Sequence, residues 1–168
     1  MSAYTDSFVA VPESGSDPWL MALRNDAFER FKALGYPTTR NEDWHFTSVT
    51  PIAERTFKSV APRLGGASLS PADLAALVIG DADWHRLTFV NGRFEPGLSA
   101  FRALPEEVRV ETLSEALKES PEFVAEHLGK LAGFQTSTFT ALNTALAQDG
   151  VVIHVPSGVV VDEPIHIV

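Results

Sequence analysis

The side chains able to bind a metal or move a proton are few in this 168-residue sequence: five histidines, 22 carboxylates and no cysteine. His45 and His85 each follow a tryptophan, Trp44 and Trp84. His154 and His166 lie in the closing β-branched stretch, with Asp162 and Glu163 close to His166. Two imidazoles on neighbouring segments can bind a divalent cation. A closed site takes four donors, however, and neither His-Glu-x-x-His nor any comparable spacing occurs. Each histidine is therefore read as an ordinary surface or half-buried residue. Without cysteine there is no thiolate for zinc, iron or a cluster. Gly129-Lys130 fails as a phosphate loop, because Val124 stands where its first glycine is needed and Leu131 where a Ser or Thr would hold magnesium. Gly65-Gly66 lacks a further glycine at dinucleotide-loop spacing, and Gly66-Ala-Ser68-Leu-Ser70 ends in Ser where a nucleophile elbow needs Gly. The expectation is a chain without a catalytic site or a cofactor of its own.

One constellation stands out. Pro37-Thr-Thr-Arg-Asn-Glu-Asp-Trp-His-Phe-Thr47 sets an aromatic among alternating charges. Thr39 with Glu42 three residues on can cap a short helical turn. As extended chain, Arg40, Glu42, Trp44 and Phe46 share one face. Either way Arg40 and Glu42 come close enough to pair while Trp44 packs inward. A folding staple is the reading that packing favours; a surface hot spot for a partner is the alternative.

The elements that must position these residues follow from caps and periodicity. Residues 1–16 read as a loose tail. Asp17-Pro18 starts a helix with Leu20, Leu23, Ala27, Phe31 and Leu34 on its apolar face, closed by Gly35. Thr50-Pro51 opens a brief turn, Gly65-Gly66 marks a loop, and Ser70-Pro71-Ala-Asp73 opens a short helix. Arg86–Val90, Asn91-Gly92 and Arg93–Glu95 spell a hairpin, since both central residues of its turn need positive φ. Val108–Glu111 is expected to add a third strand. Thr112-x-x-Glu115 is a capping box before another helix, Ser120-Pro121 starts the next, and Phe139, Leu142 and Leu146 line one more that Asp149-Gly150 should stop.

Residues Val151–Val155, Val159–Val161 and Ile165–Val168 are short β-branched runs separated by Pro156-Ser-Gly158 and Asp162-Glu-Pro164. Such runs with Pro/Gly corners suggest a solenoid built strand by strand. A rung cannot bury its apolar face without a neighbour. The segment is thus expected to be the first rung of a truncated structure, its hydrophobic edge open to a second copy in a homodimer.

Composition bounds the partners. The formal charge of −9 has the wrong sign for nucleic acid, and no apolar run is long enough to span a bilayer. The start lacks a basic, apolar signal peptide, which favours the cytoplasm.

The closing stretch, with Asn143-x-Ala145, Asp149-Gly150, Val155-Pro-Ser-Gly-Val159 and Pro164-Ile-His-Ile167, resembles the entry to the β-helix of the SufB/SufD family, scaffold proteins of the SUF iron–sulfur cluster assembly machinery. The Arg40-x-Glu42-x-Trp44-x-aromatic-Thr47 stretch resembles the signature of the SufD branch. It departs at His45, where the family often has Lys or Arg, and at Phe46, where it often has Tyr. A hairpin followed by a pair like Leu98-Ser99 is also similar to the family. The resemblance carries Arg40, Glu42, Trp44, Thr47, Asn143, Gly150 and Pro164 as structural signature residues. Periodicity and turn chemistry give an α+β chain, amphipathic helices with a small antiparallel sheet over residues 1–150; the resemblance implies that 151–168 are the first strands of a right-handed parallel β-helix. It further implies a non-catalytic scaffold working with SufB-like and SufC-like (ATPase) proteins, with ATPase docking and cluster assembly in regions beyond residue 168. The competing reading is the cap of a β-solenoid with a carbohydrate-binding or adhesive role, which aromatic ladders would support; the strands here carry Val and Ile.

Overall fold

A computed structural model of the chain describes residues 17–57, 69–80 and 84–168. The expected tail at 1–16 and the Gly65-Gly66 loop lie outside the described residues. The chain forms two compact units, each drawn from two stretches of sequence: Met1–Val60 with Pro121–Ala147, and Ala61–Ser120 with Gln148–Val168.

The first unit is helical. Helix α1 (Pro18–Leu34) starts at Asp17, whose carbonyl accepts from the N–H groups of Leu20 and Met21, while its side chain makes no capping bond. Proline suits the first position because its missing N–H would have no partner there. Gly35 closes the helix at φ 64°, its N–H bonded to the Phe31 carbonyl; that left-handed conformation is easy only for glycine. The brief helix α2 (Thr50–Ala53) forms at the predicted Thr50-Pro51 start. The buried positions of α1 are Leu20, Arg24, Ala27, Phe28 and Phe31, a stripe at helical spacing. Ala27, Phe28 and Phe31 meet Phe134 and Ala141, Leu142 and Ala145 of a helix at Thr138–Leu146. Ala27, Ala141 and Ala145 are fully buried, and their small side chains let the backbones approach. Two bonds fix the direction of packing. Arg24, early in α1, donates to the carbonyl of Ala147 at the end of the second helix, and Thr138 Oγ1, at its start, donates to the Gly35 carbonyl. The two helices are therefore antiparallel. Phe139 and Leu146, expected on the apolar face, pack at its margin.

The second unit is mixed. Helix α3 (Pro71–Ala75) has a full capping box between Ser70 and Asp73. Strands β1 (His85–Leu87), β2 (Phe89–Val90) and β3 (Arg93–Phe94) follow, then a 3-10 turn at Pro96–Leu98. Strand β4 (Arg109–Thr112) leads directly into helix α4 (Leu113–Glu119), whose capping box joins Thr112 and Glu115 as predicted. Helix α5 (Pro121–His127) and α6, the Thr138–Leu146 helix, belong to the first unit; β5 (Val151–His154) and β6 (Ile165–Ile167) return to the second. The described strands form three two-stranded sheets: β1–β6 parallel, β2–β3 antiparallel and β4–β5 antiparallel.

The mixed class is as expected, but three features of the strands and one of helix α6 differ from the sequence reading. The Arg86–Val90 run does not form one arm of a hairpin. Thr88 is fully buried and splits it, leaving Arg86 and Leu87 to pair with His166 and Ile167. Strand β4 exists, yet it joins β5, with Arg109 opposite His154 and Thr112 opposite Val151, not the hairpin. Val159–Val161 is irregular despite its β-branched residues, having no ladder partner among the described residues. Last, α6 ends at Leu146 with Ala147 as its cap, and Gly150 does not take the left-handed conformation. The Asp149-Gly150 pair begins a strand and does not stop a helix. Strands β5 and β6 each pair with one earlier strand of the chain, β4 and β1.

Candidate functional site

The signature stretch folds as a compact exposed loop. The side-chain oxygen of Asn41 accepts from the Thr38 N–H at 2.8 Å and from the Thr38 hydroxyl at 3.2 Å. A 3-10 turn, Glu42–Trp44, follows with the Trp44 N–H bonded to the Asn41 carbonyl. The capping box expected between Thr39 and Glu42 is therefore absent: Asn41 occupies the cap position and its side chain turns back to Thr38. The Thr47 N–H closes the loop on the Trp44 carbonyl at 3.0 Å.

Trp44 ties this loop to the helix core. Its ring lies 5.2 Å from that of Phe139, which neighbours Tyr36, which meets Phe31 edge-on at 5.5 Å. Trp44 is only half-buried, its ring tilted at 49° to that of Phe139. Arg40 and Glu42 are exposed, and no ion pair joins them, so the expected charge staple does not form. Phe46 is 96% exposed, edge-on to His45, whose Nδ1 sits 3.2 Å from the Thr39 carbonyl oxygen. The inward packing of Trp44 was legible from its type. The outward display of Arg40, Glu42, Phe46 and Thr47 was not.

The remaining signature residues have different settings. Asn143 is on the exposed side of α6. Pro164 is exposed, and its carbonyl accepts from the His85 N–H at the start of the β1–β6 ladder. Gly150 belongs to a buckle that sequence reasoning missed. The Asp149 carboxylate accepts from the Phe94 N–H (3.1 Å) and the Gly150 N–H (2.9 Å), while Arg93 donates to the Gln148 side chain at 2.6 Å. The Gly150 carbonyl in turn accepts from the Leu113 N–H at 2.9 Å. One turn thus ties the β2–β3 hairpin to the start of α4.

Leu98-Ser99 closes that hairpin from the other side. Ser99 Oγ accepts from the Thr88 N–H and donates to the Glu95 carbonyl, both at 2.9 Å, and the Thr88 hydroxyl donates to the Leu98 carbonyl at 2.8 Å. These bonds satisfy a buried threonine that would otherwise be costly. Arg40, Glu42, Trp44 and Thr47 share one loop of the first unit, Asn143 lies on α6 of the same unit, and Gly150 and Pro164 belong to the second. The described residues include no group of three or more His, Asp or Glu placed to hold a metal ion. No described helix is long and apolar enough to cross a membrane.

The architecture is thus that of an α+β chain whose distinctive sequence is spent on an exposed aromatic loop and on hydrogen-bonded turns. Compared with known families, the sequence matches the SufBD protein N-terminal region over residues 2–167, and the chain belongs to this family. It is similar to an iron–sulfur cluster assembly SufBD family protein from Synechocystis, with 28% identity over 158 residues. The similarity covers 94% of this chain and 34% of the relative, so the chain spans about a third of that protein's length.

Proposed function

We propose that this chain is the amino-terminal part of a non-catalytic scaffold component of iron–sulfur cluster assembly, of the SufD branch. In this reading it acts beside SufB-like and SufC-like (ATPase) proteins, and iron–sulfur clusters are cargo of the assembly, not cofactors of this chain. Membership of the SufBD family and similarity to an iron–sulfur cluster assembly protein of Synechocystis support involvement in cluster assembly. The observation that carries the scaffold reading is the signature loop. Its hydrogen bonds and Trp44 hold it in place, yet Arg40, Glu42 and Phe46 face solvent. Fixed, outward aromatic and charged residues suit protein recognition better than catalysis.

The β-helix is part of the same proposal: 151–168 supplies its first strands, and residues up to 150 the domain before it. The parallel pairing of β6 with β1 supports this, because parallel pairing is how solenoid strands stack. The setting we propose is the cytoplasm, and the segment 151–168 is also the surface along which two copies would associate.

The test is co-expression of the full-length protein with SufB-like and SufC-like partners, followed by purification through a tag on one of them. The intact protein should co-purify, and Arg40→Ala with Phe46→Ala should weaken recovery while leaving the fold intact. The isolated 168-residue chain, purified without oxygen, should hold no stoichiometric iron or zinc and hydrolyse no ATP. Tightly bound metal or turnover by the chain alone would overturn the reading.

A further inference from the structure

We propose that Asn91 is a site of spontaneous covalent modification, at which the chain converts its own asparagine through a cyclic imide with Gly92. Four asparagines are candidates: Asn25, Asn41, Asn91 and Asn143. Asn25 and Asn143 lie inside α1 and α6, where the helical ladder holds the backbone rigid. The Asn41 side chain is engaged by Thr38 and is followed by Glu42, whose side chain crowds the attacking nitrogen. Asn91 differs on each count. It is exposed, at φ 53°, and is followed by exposed Gly92 at φ 75°. Space around Gly92 is open: a Cβ placed there would meet nothing within 4 Å.

The chemistry needs only water. The Gly92 nitrogen gives up its proton to solvent and bonds to Cγ of Asn91. The Cγ–Nδ2 bond breaks and the nitrogen leaves as ammonia, closing a five-membered succinimide. Water then adds to one of the two ring carbonyls. Opening at Cγ restores the ordinary backbone with an aspartate. Opening at the main-chain carbonyl yields isoaspartate, with the chain rerouted through Cβ and Cγ. No oxidant or co-reactant enters.

The hairpin sets the rate and the consequence. Its ladder has two residue pairs, Phe89 with Phe94 and Val90 with Arg93, and Gly92 lies outside both. The ring can close when this short ladder opens. The bonds of Phe94 to Asp149 and of Arg93 to Gln148 slow that opening relative to an unfolded chain. An aspartate tolerates the left-handed conformation and preserves the turn. An isoaspartate adds a methylene to a two-residue turn, which displaces Phe94 and Arg93 from register. Those residues hold Asp149 and Gln148, so the change reaches the start of β5.

The test is incubation of the purified chain at mildly alkaline pH, followed by peptide mass mapping and labelling with an isoaspartyl methyltransferase. A synthetic peptide of residues 86–96 serves as the unfolded reference. Amide loss and label are expected at Asn91 ahead of the other three asparagines, more slowly than in the peptide. Asp149→Ala, which releases the Phe94 N–H, should speed it; Asn91→Asp should abolish the gain in mass and keep the fold. Survival of Asn91 in the folded chain while the peptide is fully converted would overturn the proposal. So would conversion of Asn25, Asn41 or Asn143 at the same rate.

Discussion

At Trp44 the line of aromatic rings that begins in the α1–α6 core reaches the surface. Its half-burial decides the size of the expected effect. Truncating a fully buried aromatic costs about 3–5 kcal/mol, and Trp44→Ala should fall below that range, with a clear drop in Tm. Phe46→Ala should change stability by no more than about 0.5 kcal/mol, as expected of a solvent-facing side chain. Arg40→Ala should be similarly mild, because no ion pair with Glu42 is lost. Thermal unfolding of the three variants tests this directly: an unchanged Tm for Trp44→Ala, or a large loss for Phe46→Ala, would reverse the assignment of anchor and displayed residue. Asp149 is the other residue with leverage. Its removal leaves the Phe94 and Gly150 N–H groups without their acceptor, so Asp149→Ala should raise hydrogen exchange in the hairpin and at β5 before it affects α1.

Helix α4 shows how one element depends on pH. The Glu115 carboxylate is held below its ordinary range mainly by the Thr112 backbone N–H, then by the Thr112 hydroxyl, with a smaller contribution from Lys118. A carboxyl whose pKa is depressed on folding stabilises the protein above its unfolded pKa and loses that contribution as pH falls through the folded one. Glu115→Gln can keep the hydrogen bonds but not the charge. Its denaturation midpoint should lie below that of the parent near neutrality, and the two curves should converge in acid. The box at α3 shifts Asp73 in the same direction, through the Ser70 hydroxyl and then its N–H. Features of this kind were legible in the sequence because a cap and its partner are three residues apart. The same holds for the Asn91-Gly92 turn and the stripe of α1. Strand pairing was not legible: nothing local distinguishes β5 as the partner of β4, or β6 as that of β1. Val159–Val161 shows the converse, since β-branched residues make a strand only where a ladder partner exists. Gly150 was misread because a glycine after an apolar helix suits both a cap and a close turn. At the candidate site, the inward side of Trp44 was readable, whereas the exposure of its neighbours depended on a loop whose cap is Asn41 instead of Thr39.

At the scale of the molecule, the closing segment leaves Ile153, Val155, Val160 and Ile167 exposed. Each sheet to which it contributes has only two described strands. Apolar side chains beside strands with an uncovered edge favour pairing with another chain. Sedimentation velocity over a concentration series should therefore show weak self-association of the 168-residue chain. Val160→Lys with Ile167→Lys should reduce it with little change in stability, since these side chains are 70% and 51% exposed. A parent chain that sediments as a monomer at every concentration would sink this expectation. Truncation at residue 150 is the poorer test, because it strips β4 and β1 of their partners.

The antiparallel seating of α1 on α6 also has a consequence in time. α1 ends at Leu34, and the helix that covers its apolar stripe starts at Thr138. Ribosomes add roughly 5–20 residues per second, so the stripe of Leu20, Ala27, Phe28 and Phe31 waits on the order of ten seconds for its cover. During that interval the nascent chain offers a greasy, helix-length handle to anything that scans emerging polypeptides. Ribosome-bound chains stalled just short of Thr138 should be captured by holdase chaperones, and chains stalled once α6 has cleared the exit tunnel should be released.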